Sequence, residues 1–308
     1  MARATREIKR RIKSIKSTGK ITKAMELVSA VKMRKAVDHM LSSRAYAHLA
    51  WQIVTDLAKR VNVNYHELLI ERPVKKVAIV LVASNRGLCG SFNSQIVASA
   101  YKHSLDLGKE GKDKPEIEFI LLGKKARDIV SKYKKQAVAE FEKPDVTLKV
   151  EEIFSLSKMI IGGYMEGKYD RVALAYTDYV SSLKQTPRIK QLLPIPKEED
   201  VVLGSVGEWE SFSKTESMDM REYIFEPSPE KVLENILPRL IETQIYQAVL
   251  ESDASEHSAR MMAMKNATEA AHDLIDDLTL AFNQARQAGI TQEIAEISGT
   301  KAAMNNDN

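Results

Sequence analysis

The stretch IKRRIKSIKSTGKITKAMELVSAVKMRKA, residues 8–36, decides the fold. Ile8, Ile12 and Ile15 are spaced by four and then three, so they share the face of a helix that pairs along a seam. The stripe continues through Thr22, Met25, Ser29, Met33, Ala36 and Met40, while Lys and Arg fill the other faces. No proline interrupts residues 3–60, and the only glycine is Gly19, which costs about 1 kcal/mol against Ala. One helix is therefore expected from about Arg3 to Arg60, the pattern fading past Trp51 and Leu57. A second is expected from Ser228 to about Ile297, where Ser228 caps, Pro229 takes the first helical position and Glu230 the first turn. At 1.5 Å per residue these span roughly 85 and 100 Å. Neither fits inside a core, so each must lie along the other or along a partner.

Between them the pattern changes to short apolar runs separated by helical periodicity. Val77–Ala83 is continuously apolar, as a buried parallel strand requires. Further strands are expected at 117–122, 137–141, 171–176 and 189–193, with one more at 221–225. Helices are expected at 95–107, 124–135 and 150–165, and residues 197–219 read as a polar surface connection. Strands alternating with helices imply a Rossmann-like, mostly parallel sheet. The domains expected are therefore 1–60, a central α/β domain at 73–226, and 228–300. In the last of these Leu233, Leu237, Leu240, Ile245 and Val249 form one stripe, interrupted by Pro238, which should kink the helix. A second stripe runs through Ala259, Ala263, Ala267, Ala270, Leu274, Leu278, Ala281 and Ala285. Its period, slightly above 3.6, predicts a nearly straight or weakly right-handed section.

Charge is unevenly placed along the 308 residues. Residues 1–44 carry thirteen Lys or Arg against Glu7, Glu26 and Asp38, whereas residues 251–280 carry seven acids against Arg260 and Lys265. The two helices can attract each other, and the basic one can meet an acidic partner. Cys89 is the sole cysteine, which excludes an intrachain disulfide and points to a reducing compartment. No apolar run reaches about 18 residues, and the basic N-terminus leads straight into an amphipathic repeat, so neither a membrane span nor a signal peptide is expected.

The search for chemistry returns little. Arg86-Gly-Leu-Cys-Gly90 lies between a strand and a helix, a place that favours phosphate. Yet the G-x-G-x-x-G and G-x-x-x-x-G-K-[ST] spacings are absent, and Gly123 stands where an acid should end the second strand. A tight turn is the stronger reading, with Cys89 a small packed residue. The six histidines show no ligand spacing, Gly204-Ser-Val-Gly207 is not a nucleophile elbow, and Asp273, Asp276 and Asp277 read as a solvated face. No catalytic residue, metal or cofactor is expected. The basic stretch Lys9–Lys35 lacks aromatic stacking groups and a bulky apolar face, so nucleic acid and lipid are not expected partners. The residues leave three readings: a mechanical coupling protein, a nucleotide-binding α/β enzyme with a coiled-coil oligomerisation arm, and a basic nucleic-acid adaptor.

Three motifs narrow these. Residues 21–35 (ITKAMELVSAVKMRK) resemble the N-terminal signature of the gamma subunit of F-type ATP synthases. Residues 258–268 (SARMMAMKNAT) and 285–294 (ARQAGITQEI) resemble its C-terminal signatures, and the Arg86–Gly90 turn is similar too. The resemblance implies a bacterial-type central shaft whose terminal helices wind as an antiparallel coiled coil inside the alpha3beta3 ring. It also implies a globular domain beside the epsilon subunit and the c-subunit ring. Ion-driven rotation would push the beta subunits, which own the nucleotide chemistry, through states of different affinity. Association with the cytoplasmic side of the plasma membrane would be peripheral, through the complex. By the same resemblance Lys23 and Met25 sit where the shaft meets an acidic lever on beta, and Arg286 and Gln287 match positions that hydrogen-bond a beta loop. Arg260 and Lys265 match the second signature, with coil stabilisation as their alternative role.

Overall fold

The computed structural model describes residues 2–60, 66–108, 114–133, 135, 137–196 and 228–306, with side-chain detail except at 2–4, 44–60, 229–230 and 299–306. Two expectations fall wholly outside the described residues, the strand at 221–225 and the connection at 197–219 that contains Gly204–Gly207, as do the side chains of Trp51 and Leu57. The chain divides into two compact units, one of residues Ser29–Arg260 and one of Met1–Val28 with Met261–Asn308. Helices α1 (Ala2–Arg60) and α5 (Pro229–Asn306) each contribute to both.

The larger unit is built on a five-stranded sheet. Its strands are β1 (Lys76–Val82), β2 (Glu116–Leu122), β3 (Ala137–Phe141), β4 (Arg171–Tyr179) and β5 (Gln185–Leu193), in the order β3-β2-β1-β4-β5. The first four are mutually parallel. β5 is antiparallel to β4, because residues 180–184 are too few for a crossover. Strand β1 is buried on both faces. Val77, Ile79 and Leu81 pack with α2 (Phe92–Leu107) and α3 (Lys124–Val130). Ala78, Val80 and Val82 belong to the core of the opposite face, shared with α4 (Phe154–Met165) and part of α5.

That second face accounts for residues read from sequence as part of a separate stripe. Leu233, Leu237, Leu240, Ile241, Ile245 and Val249 of α5 are buried in the sheet core, together with Ala36 and Met40 of α1. The helix runs through Pro238, with Leu237 and Leu240 anchored on either side. Its start is as expected, Ser228 Oγ accepting the Lys231 N–H at 3.4 Å.

In the smaller unit α1 and α5 pack antiparallel. Thr22 Oγ1 and Thr268 Oγ1 lie 2.8 Å apart, and three residues back on α1 Gly19 faces Ala271, three residues on along α5. Among the less exposed positions, one row runs through Ile8, Ile12, Ile15, Gly19, Thr22 and Glu26 on α1, and another through Met264, Thr268, Ala271, Ile275, Leu278, Phe282 and Ala285 on α5. Their steps alternate between three and four, a period of 3.5 that corresponds to a left-handed coil. Of the expected alanine stripe, Ala263, Ala267, Leu278, Ala281 and Ala285 are partly buried, whereas Ala270 and Leu274 face solvent. Alanine is a strong helix former on any face, so its identity does not mark the seam. Among the described residues no helix is long and apolar enough to cross a membrane.

Two glycines should respond oppositely to alanine. At Gly123 (φ +101°) a Cβ would lie 2.2 Å from the Ala83 carbonyl oxygen, so Gly123→Ala should destabilise the larger unit by about 1–3 kcal/mol in denaturant unfolding. At Gly19 the nearest atom outside its own helix turn would be Ala271 Cβ at 3.5 Å, so Gly19→Ala should stabilise the helix by about 1 kcal/mol in the same experiment.

Candidate functional site

In a sheet of this order the crevice between the carboxyl ends of β1 and β4, where the winding reverses, is the usual seat for a ligand. The polar face of α5 fills it. Ser252 Oγ accepts the Thr177 N–H at 3.0 Å, Ser255 Oγ donates to the Thr177 carbonyl at 3.2 Å, and Ser258 Oγ donates to the Ser182 carbonyl at 2.7 Å. Asp253, Glu256 and Arg260 lie on the same stretch and are also buried.

These charges form a closed cluster with Lys143, which follows β3. Its ammonium, with a side chain only 3% exposed, bonds the Asp253 carboxylate and lies 2.9 Å from Glu256 Oε2. Burial opposes the charge on Lys143, but Asp253 and Glu256 outweigh it and raise its pKa. Burial likewise works against the Glu256 carboxylate, and Lys143 with Arg260 overcomes it and holds the pKa below the ordinary value. Asp253 Oδ2 also accepts the Thr147 N–H at 2.7 Å. Two cations and two carboxylates thus balance in a site that excludes water, the condition under which buried charge is tolerated.

Arg260 links this cluster to the Arg86–Gly90 turn. It donates to Glu256 at 2.9 Å, to the Arg86 carbonyl at 3.1 Å and to the Gly87 carbonyl at 3.3 Å. Its fourth partner is His257 Nδ1 at 3.2 Å. Because a guanidinium can only donate, Nδ1 accepts, leaving the Nε2 hydrogen for the Asp145 carbonyl at 2.6 Å. Asp145 pairs with Lys32 of α1 at 2.7 Å and with Arg86 at 3.7 Å. Within the turn Gly90 (φ +57°) takes the left-handed conformation that glycine adopts without strain. Cys89 is buried, its sulfur accepting from Asn93 Nδ2 at 3.2 Å. Burial pushes the thiol pKa up, the opposite of what a nucleophile needs. A groove of about 380 Å³ beside β3 and α3 is lined by Leu121, Val130, Ala139 and the Arg127–Glu140 ion pair. Among the described residues no group of three or more His, Cys, Asp or Glu is placed to hold a metal.

Comparison with known proteins decides the family. The family model described as ATP synthase matches residues 4–304. The ATP synthase gamma chain of Roseiflexus castenholzii is 41% identical over 303 residues, covering 98% of each chain. That of Chloroflexus aurantiacus is also 41% identical, covering 98% of this chain and 99% of its own. The chain belongs to the ATP synthase gamma family. Its fold is similar to a chain of the Euglena gracilis mitochondrial ATP synthase OSCP/F1/c-ring structure, with TM-score 0.66, 18% identity, and coverage of 99% of this chain and 95% of that one. A rotor structure of the same synthase gives TM-score 0.62 at 17% identity, covering 94% of this chain and 100% of that one.

The positions expected from the resemblance separate into two groups. Lys23, paired with Glu26 at 2.9 Å, lies exposed on the smaller unit, beside half-buried Met25 and across the Thr22–Thr268 level from exposed Lys265. Arg286 and Gln287, also exposed, lie about 30 Å further along α5. Arg260 alone belongs to the larger unit, buried with its donors engaged inside the protein. Lys143, Asp253 and Glu256 were not foreseen. The available signal was the run Glu251-Ser-Asp-Ala-Ser-Glu-His-Ser258, too polar on every face for an ordinary amphipathic helix.

Removing the Lys143 ammonium leaves the buried Asp253 carboxylate without a cation, while Glu256 keeps Arg260, so Lys143→Met should cost about 3–5 kcal/mol in denaturant unfolding. Burial also lowers the His257 pKa from 6.5. Its contribution to stability is therefore complete above about pH 6.5 and is lost as pH falls towards the depressed folded-state value. His66 shifts the same way, whereas Asp145, lowered chiefly by its hydrogen bond from Lys32, keeps its full contribution above its ordinary 3.8 and loses it only as pH falls below that. His257→Gln should then lose less stability than the parent between pH 7 and pH 5, measured by guanidinium unfolding at each pH.

Proposed function

We propose that this chain is the central-stalk rotor of a bacterial F-type ATP synthase. In this reading it couples ion-driven rotation to conformational change in the catalytic beta subunits and has no active site of its own. The observation that carries it is the antiparallel 3.5-period pairing of α1 with α5, in a chain matching gamma chains along 98% of its length. Two helices paired along a seam resist twist as a single helix cannot. The narrow Gly, Thr and Ala layers leave the outer faces free to touch and release a surrounding ring.

Its partners would be the alpha3beta3 ring, the epsilon subunit and the c-subunit ring, with the chain held at the cytoplasmic face of the plasma membrane through the complex. Lys23, Met25, Lys265, Arg286 and Gln287 are the proposed contacts with beta. Exposed charge pairs are worth about 0–1 kcal/mol each, which suits contacts remade at every step. Arg260, engaged in the buried cluster, is assigned instead to holding the Arg86–Gly90 turn. The non-catalytic reading is supported by the crevice at β1 and β4, which is occupied by Ser252, Ser255 and their neighbours rather than open to a nucleotide.

Co-expression with tagged alpha and beta subunits should recover this chain in a stoichiometric complex. Saturable micromolar binding of ATP by the isolated chain would instead favour the nucleotide-binding enzyme. In the complex, the double variant Arg286→Ala, Gln287→Ala should lower ATP turnover severalfold while nucleotide affinity of isolated beta stays unchanged. Parental turnover would remove those two positions from the contact set.

A further inference from the structure

Apolar burial holds a helix on a sheet without fixing its rotation, because the attraction has no preferred direction. From Leu233 to Val249, α5 is seated on the sheet largely in this way. From Ser252 to Arg260, the last residues of α5 in the larger unit, directional bonds take over on three sides. Ser252, Ser255 and Ser258 bond the β4–β5 hairpin at Thr177 and Ser182. Asp253, Glu256 and His257 bond the segment after β3 at Lys143, Thr147 and Asp145. Arg260 bonds the turn after β1. Turning α5 by about 20° would move its side-chain tips by about 2 Å, enough to break bonds of 2.7–3.2 Å on all three sides at once.

We propose that this polar collar is a torsional anchor, fixing the rotational setting of α5 against the sheet, and that Lys143 is the positioning residue that closes it. The inference rests on the rotor reading, in which twist must pass between the lobe and its long helices. Lys143 is the one cation that draws Asp253 and Glu256 together onto the β3 side. Serine bonds alone would leave that side unlatched.

The test uses the assembled alpha3beta3gamma complex, with the stator immobilised and rotation stalled. A probe is attached through Leu105→Cys, an exposed position on α2, and its angular fluctuation is recorded. The double variant Lys143→Met, Asp253→Asn removes one cation and one carboxylate and leaves Glu256 paired with Arg260, so the fold can persist without the latch. Its fluctuation variance should rise at least twofold over the parent, while Lys143→Arg should restore the parental width. Variance equal to the parent in the double variant overturns the inference, whatever its melting temperature. Should that variant fail to assemble, Ser255→Ala with Ser258→Ala opens the hairpin side alone. A smaller broadening is expected there, and parental width overturns the proposal equally. A parental complex that assembles no rotor at all defeats the functional reading itself, an outcome distinct from a rotor whose stiffness ignores the collar.

Discussion

The salt cluster of Lys143 with Asp253, Glu256 and Arg260 is the constraint on which the larger unit depends. Four charges sit in a region nearly closed to water, where each alone would be untenable and only the complete set is stable. The cluster joins three segments far apart in sequence, the turn after β1, the stretch after β3 and the middle of α5. Through Asp145 it reaches Lys32 of α1 as well. Local propensity does not bring these segments together, and hydrophobic burial does not dictate their exact juxtaposition. The cluster does so because any misplacement leaves a charge unpaired.

The cluster also separates two uses of one α/β sheet. The order β3-β2-β1-β4-β5 produces a crevice suited to a small molecule. Here the chain's own helix lies in it and satisfies the strand ends with serine hydroxyls. The glycine turn after β1 keeps the outline of a phosphate loop, yet its carbonyls at Arg86 and Gly87 face a guanidinium. A turn whose carbonyls serve as acceptors for an internal arginine is a structural joint. Membership of the ATP synthase gamma family and the fold neighbours agree with such a use.

Much of this was legible beforehand, and the residues show why the rest was not. The unbroken apolar run at β1 announced a strand buried on both sides, and the isoleucine steps at 8, 12 and 15 announced the seam. On α5 the expected stripe departs from the structure only at Ala270 and Leu274, which face outwards while Thr268 and Ala271 take the seam. The antiparallel β5 followed from a five-residue connection that the strand pattern alone did not weigh. The placement of Leu233–Val249 against the sheet depends on long-range packing that periodicity cannot distinguish from a free stripe. Lys143 was invisible because one lysine among many carries no mark of being enclosed.

The pairing of Thr22 with Thr268 carries a consequence for synthesis. Those partners are 246 residues apart, so at about 5–20 residues per second the first helix emerges on the order of ten to fifty seconds before its mate. A row of leucines left bare for so long would invite aggregation. Glycine and threonine at 19 and 22, with Lys20 and Lys23 beside them, let this stretch of the nascent helix wait in water until its mate emerges.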